Sequence, residues 1–171
     1  MNLFEFALKM EKEGQAYYEK LADQTDLPGL KTIFSRLAED EQKHYAIFQR
    51  LQAGQTAPDL QQSSTLDQVE NIFAGLPLPE VASKNLAETL EAYRYAMKVE
   101  ADSVALYKKG AVEEDNPKTK ELLLRIAAEE QRHFDIMENV FHFANAPNQY
   151  LADAEFTNLN QWHQFGRDID S

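Results

Sequence analysis

The segment "ALKMEKEGQAYYEKLA" at residues 7–22 aligns without a gap on "AMKVEADSVALYKKGA" at 96–111, and at the same offset of 89 residues "RLAEDEQKH" at 36–44 falls on "RIAAEEQRH" at 125–133. Pro28 falls on Pro117 in that register. One offset that carries two helix-forming segments and the turn between them marks two copies of a helical hairpin, related in space by a pseudo-twofold axis. Two such hairpins bury their apolar stripes by facing each other, so the repeat restricts the chain to a four-helix arrangement.

The remaining sequence fits an all-α chain. Its 6 Gly and 6 Pro lie mostly between long segments rich in Ala, Glu, Lys, Leu and Gln, which are strong helix formers. Helices are expected at 2–24, 28–53, 84–114 and 117–144, with Asn2 and Asn116 as N-caps and Pro28 and Pro117 in first turns that tolerate a missing N–H. The turns "DLPGL" and "DNPK" are tight, so the first helix pairs antiparallel with the second and the third with the fourth. The join at 54–83 is too long for such a turn. Some thirty residues can run the length of a 25-residue helix, about 37 Å, which favours one long crossover between helices 2 and 3, with a short helix at "LDQVENIF".

The expected organisation is thus one bundle domain at 1–144, built from repeat halves 1–53 and 84–144, followed by a tail at 145–171. That tail carries Tyr150, Phe156, Trp162 and Phe165. So aromatic a segment is expected to form a short helix packed on the bundle or on a second subunit, which points to a homodimer.

Composition excludes several function classes. No cysteine is present, so thiolate zinc sites, iron–sulfur clusters and thiol catalysis cannot arise within this chain. A formal charge of −12 argues against a nucleic-acid backbone or an anionic membrane as partner. The first residues, "MNLFEFALKMEKEGQ", show no basic region followed by an apolar run, and no stretch reaches the ~20 apolar residues of a membrane span. The expectation is a cytoplasmic protein.

The chemistry lies in what interrupts the apolar seams. The second helix carries Leu30, Phe34, Leu37, Glu41, His44, Phe48 and Leu51 in alternating steps of four and three, and the fourth repeats this with Leu123, Ile126, Glu130, His133, Met137, Val140 and Ala144. The first offers Phe4, Ala7, Glu11, Gly14, Tyr18 and Leu21; the third offers Tyr93, Met97, Glu100, Val104, Tyr107 and Ala111. Four glutamates and two histidines therefore meet at one level of the interior. Burying four carboxylates without compensation is prohibitive. No Lys or Arg sits at that level of the seams, whereas two divalent cations balance the four charges in full. A carboxylate-rich, thiolate-free donor set suits iron or manganese better than copper, and zinc is a plausible substitute. An i, i+3 spacing puts each Glu-x-x-His pair on one helical face.

Other polar residues are assigned less. Tyr18 and Tyr107, two turns beyond Glu11 and Glu100 on the same stripes, are candidates to hydrogen-bond a ligand carboxylate or relay an electron. Glu13, Glu19, Glu39, Asp40, Asp102 and Glu129 fall off the seams and are expected in solvent, although Glu13 and Asp102 occupy equivalent positions beside the ligands. His142 is expected to face away from the site, and His163 is given no role.

The segments "MEKEGQAYY", "AEDEQKH", "VEADSVALY" and "AAEEQRH" resemble the ferritin-like di-iron carboxylate superfamily, and within it the rubrerythrin-like proteins, over residues 1–144. The resemblance implies that Glu41 and Glu130 bridge two irons, that Glu11 and Glu100 are terminal carboxylates, and that His44 and His133 bind one iron each. It further implies reduction of hydrogen peroxide or dioxygen, with electrons returned by a reductase or rubredoxin-like partner. Two departures stand out. The chain lacks the rubredoxin-type cysteine site, so electrons must come from a separate protein, and Ser103 stands where typical rubrerythrins carry an extra glutamate. The resulting symmetric ligand set is similar to that of a bacterioferritin. The leading expectation is a di-iron peroxidase or ferroxidase serving oxidative-stress defence. The alternatives are ferritin-like iron binding or storage, and a bundle using another metal or an organic substrate.

Overall fold

The computed structural model describes residues 2–57, 60, 63, 65–76 and 85–165, the side chains of 66, 67, 70 and 150–165 excepted. Among the described residues there are five helices and no strand: α1 Leu3–Gln24, α2 Pro28–Gln52, α3 Thr65–Gly75, α4 Leu86–Glu113 and α5 Pro117–Phe165. The starts follow local chemistry. Asn2 closes a capping box with Glu5, each side chain bonding the other's backbone N–H. Asn116 accepts from the backbone N–H groups of Lys118 and Thr119, and Pro28 and Pro117 open their helices.

Packing reproduces the repeat. α1 pairs with α2 and α4 with α5; α1 then faces α4, and α2 faces α5. The buried apolar residues fall into two clusters, one at each end of the bundle. One gathers Tyr18, Leu21, Leu30, Phe34, Leu90, Tyr93, Met137 and Val140. The other gathers Ala7, Ile47, Phe48, Tyr107, Ala111, Leu123 and Ile126. Each large aliphatic or aromatic side chain fully buried here contributes about 1.5–3 kcal/mol of transfer free energy.

These clusters also fix the connection. α2 ends in the second cluster and α4 begins in the first, so the intervening chain traverses the bundle, as its length required. Leu60 packs in the second cluster, and Val69 of α3 packs in the first, against α2 and α5. The short helix expected at "LDQVENIF" is α3.

The C-terminal boundary differs from expectation. α5 does not stop near 144 but continues through Pro147 to Phe165, so the helical tail is an extension of α5 rather than a separate element. A proline inside a helix loses its bond to the carbonyl four residues back, here Phe143, and crowds that carbonyl, at a cost of about 3 kcal/mol, and the helix formers of "YLADAEF" carry the helix onward. Tyr150, Phe156, Trp162, His163 and Phe165 lie outside the described side chains, and residues 77–84 of the crossover lie outside the described residues.

Candidate metal centre

Between the two apolar clusters lies a polar layer. Glu11 from α1, Glu41 and His44 from α2, Glu100 from α4, and Glu130 and His133 from α5 all meet there, each 0–4% exposed. These are the six residues singled out by their seams. They form two overlapping groups, Glu11–Glu41–His44–Glu130 and Glu41–Glu100–Glu130–His133, and within each group one donor atom per residue lies within 4.8 Å of all the others. Glu41 and Glu130 belong to both. His44 Nδ1 lies 2.8 Å from Glu130 Oε1 and 3.5 Å from Glu11 Oε2. His133 Nδ1 lies 2.9 Å from Glu41 Oε1 and 3.4 Å from Glu130 Oε2.

These approaches are short without being hydrogen bonds. Glu11 Oε2, Glu41 Oε1, both oxygens of Glu130 and both Nδ1 atoms are buried and have no aligned hydrogen-bond partner. Orphaned polar atoms buried together are rare, because each forfeits its interaction with water. Donor atoms that converge on common points without an aligned hydrogen-bond partner are the arrangement a cation requires, and the oxygen-rich set in two overlapping groups could hold two divalent ions.

The surrounding contacts cross from one half of the repeat to the other. Tyr18 donates its phenol to Glu100, and Tyr107 donates to Glu11, which gives both tyrosines the carboxylate-binding role considered from the sequence. His44 Nε2 bonds Glu129 at 2.8 Å, and His133 Nε2 lies 3.5 Å from Asp40 Oδ2. Donation from Nε2 turns Nδ1 of His44 toward the glutamates, where its lone pair becomes available to a cation once the proton is displaced.

Asp40 and Glu129 correct the sequence expectation. Both were assigned to solvent, yet they are 1% and 5% exposed. The crossover covers them: Ser63 Oγ donates to Asp40 Oδ2 at 2.6 Å, Ser63 N reaches Glu129 Oε1 at 3.3 Å, and Thr65 Oγ1 donates to Asp40 Oδ2 at 2.8 Å. Without that cover both positions would lie beside the seam. A signal was nevertheless present, since 40 and 129 are repeat-equivalent and each carries an acid directly before the shared glutamate. Glu13, Glu19, Glu39, Asp102 and His142 are exposed as expected.

Without a cation, the surroundings of most of these groups favour the uptake of protons. Burial pushes the carboxyls of Glu11 and Glu100 well above the usual range, and the neighbouring Glu130 and Glu41 add to the rise. Burial opposes charge on His44, but Glu130, Glu11 and Glu129 outweigh it and hold the imidazole well above its ordinary value. His133 is raised likewise against burial, by Asp40, Glu130 and Glu41. Glu130 in turn is held far below the carboxylate range, its burial overcome by the two histidines.

The layer is sealed on one side and open on the other. Where the crossover covers the α2–α5 side, the α1–α4 side has a cleft of about 410 Å³ whose lining includes Gly14, Tyr17, Tyr18, Glu41, Val99, Glu100 and Ser103. Gly14 admits α1 close to the shared carboxylate: a Cβ there would sit 3.1 Å from Glu41 Oε2.

Among the described residues no helix is long and apolar enough to cross a membrane. Comparison with curated proteins and with solved structures finds no match. The family model described as rubrerythrin, a family of ferritin-like di-iron proteins, matches residues 2–141, which span both hairpins and every residue of the polar layer. The chain belongs to the rubrerythrin family.

Proposed function

We propose that this protein is a di-iron oxidoreductase that reduces hydrogen peroxide or dioxygen, with Glu41 and Glu130 shared between two irons, Glu11 and Glu100 as terminal carboxylates and His44 and His133 binding one iron each. The observation that carries this reading is the pair of overlapping donor groups with their unpartnered buried atoms. When bound, two ferrous ions supply the two electrons that, with two protons, convert one peroxide into two waters.

The chain's own residues prepare for that chemistry. Glu129 orients the His44 imidazole by a hydrogen bond, and Asp40, 3.5 Å from His133 Nε2, stands at the repeat-equivalent position, so that each Nδ1 faces the carboxylates. Tyr107 and Tyr18 pin one oxygen each of Glu11 and Glu100 and leave the other oxygen for a cation. Their phenols are raised above the ordinary value, first by burial and then by those carboxylates, and so stay protonated as donors. The two apolar clusters close the layer at both ends of the bundle, leaving the α1–α4 cleft as its approach. With no cysteine in this chain, electrons are returned from outside it, by a separate donor protein of rubredoxin or reductase type.

The test is anaerobic loading with Fe(II) followed by one equivalent of peroxide. Rapid oxidation with a ferric-oxo absorbance band is expected; a protein that stays ferrous for minutes under both peroxide and air would sink the proposal.

A further inference from the structure

The six ligand candidates obey the pseudo-twofold, but the space beside them does not. The cleft on the α1–α4 side reaches Glu41, Glu100 and Tyr18, while Glu11 and His44 do not line it. Three repeat-equivalent pairs line it, Met10 with Val99, Glu13 with Asp102 and Gly14 with Ser103, and beyond them it extends toward Tyr17, Tyr95 and Ala96. At about 410 Å³ it falls in the range of small-molecule sites, roughly 300–1,000 Å³. One water occupies about 30 Å³ of liquid, so a peroxide, only about a third larger, would leave most of the cleft unfilled.

The lining specifies what fits. Tyr17 and Tyr95 stand with ring centroids 5.1 Å apart, and Met10, Ala16, Ala96 and Val99 add apolar wall. The Tyr17 hydroxyl is already committed to the Ala92 carbonyl. Ser103 is 5% exposed, lines the cleft and makes no hydrogen bond among the described residues, so its hydroxyl is an available polar contact. The rim carboxylates Glu13 and Asp102 are already paired with Lys9 and Lys98, at 3.8 and 2.6 Å. The other charged rim residue, Lys20, is exposed, so solvent screens it, and the floor carboxyl Glu100 is held protonated by burial; neither offers the desolvated charge that would hold an ion.

We propose that this cleft is a binding site for a small neutral organic molecule with an apolar, aromatic-sized body and one hydroxyl group received by Ser103, seated beside the Glu41–Glu100 edge of the metal centre. Its occupancy does not depend on the di-iron reading; its use as a substrate or effector site does.

The experiment is calorimetric titration of the full chain, metal-free and zinc-loaded, with 4-methylphenol and with toluene. Saturable 1:1 binding of 4-methylphenol is expected. Ser103→Ala should weaken 4-methylphenol three- to tenfold and leave toluene unchanged, the signature of a lost hydroxyl contact rather than a lost shape. Ser103→Leu should weaken both probes at least tenfold. Val99→Phe, at a partly exposed wall position, should do the same and serves if the buried leucine disturbs folding. Absence of binding to the wild type, or equal binding by all four proteins, overturns the proposal. Metal content of the same samples separates the two readings: two ions without probe binding refutes the cleft alone, and probe binding without metal refutes the di-iron assignment alone.

Discussion

His44 in α2 donates from Nε2 to Glu129 in α5 at 2.8 Å, so the imidazole of one half of the repeat is held by a carboxylate of the other. Removing that acceptor frees the ring to rotate and to change tautomer. Glu129→Ala should therefore lower metal affinity about 10–100-fold, the usual cost of deleting such a partner. Competition against a chelator measures it. Glu129→Gln, which keeps an acceptor oxygen, should recover part of the loss, and Glu39→Ala, at an exposed position, should cost nothing.

Sharing makes two of the glutamates unequal to the others. Glu41 and Glu130 stand in both donor groups, Glu11 and Glu100 in one each. Glu41→Ala and Glu130→Ala should reduce bound metal from about two ions per chain to fewer than one, whereas Glu11→Ala and Glu100→Ala should each retain close to one. Metal analysis after anaerobic loading discriminates, and equal content across all four would refute the shared arrangement.

The two tyrosines offer a test of the pseudo-twofold itself. Tyr107→Phe and Tyr18→Phe each leave a buried carboxyl oxygen without its donor, at a cost of about 1–3 kcal/mol in unfolding free energy. Urea denaturation of the metal-free protein should give losses of the same order for both, since each phenol is buried and donates to the repeat-equivalent carboxylate of the other half. A loss confined to one of them would show that the halves are not balanced.

The metal-free and loaded proteins should respond oppositely to pH. Glu11 and Glu100 are raised from an ordinary value of 4.5 and His44 and His133 from 6.5, so the folded chain holds more protons than the unfolded one. Stability from these groups is present below those ordinary values and is lost as pH rises through the folded ones. Asp40 and Glu130 are lowered, and their contribution is lost only in acid. The melting temperature of the metal-free protein should then fall between pH 5 and 9, most steeply above 6.5. Divalent metal displaces the same protons, so the loaded protein should hold or gain stability over that interval, and loading in weak buffer should acidify the solution.

Much of this was legible before any coordinates. A repeat with one offset gives every buried ligand candidate twice, and a polar residue that interrupts an apolar seam is conspicuous at both copies. Asp40 and Glu129 were hidden because a seam describes only what the four bundle helices cover. Their burial depends on Ser63 and Thr65, which lie in a polar Gln/Ser stretch with no periodicity of its own. The cleft was hidden for a related reason. Gly14 reads as a small seam residue and Ser103 as the place of an absent glutamate, and only the approach of α1 to α4 shows that both line open space. The run of α5 past 144 is not legible because Pro147 reads as a helix end and the aromatic side chains beyond it suggest a separate docking element, whereas the helix continues through the proline.

The exchange of partners between halves also bears on how the chain matures. Tyr18 and Asp40 in the first hairpin serve Glu100 and His133 in the second, while Tyr107 and Glu129 return the service. A half-finished chain therefore displays carboxylates and an imidazole with none of their supports. Each of the two donor groups draws on both hairpins, so neither group exists until the two halves have come together.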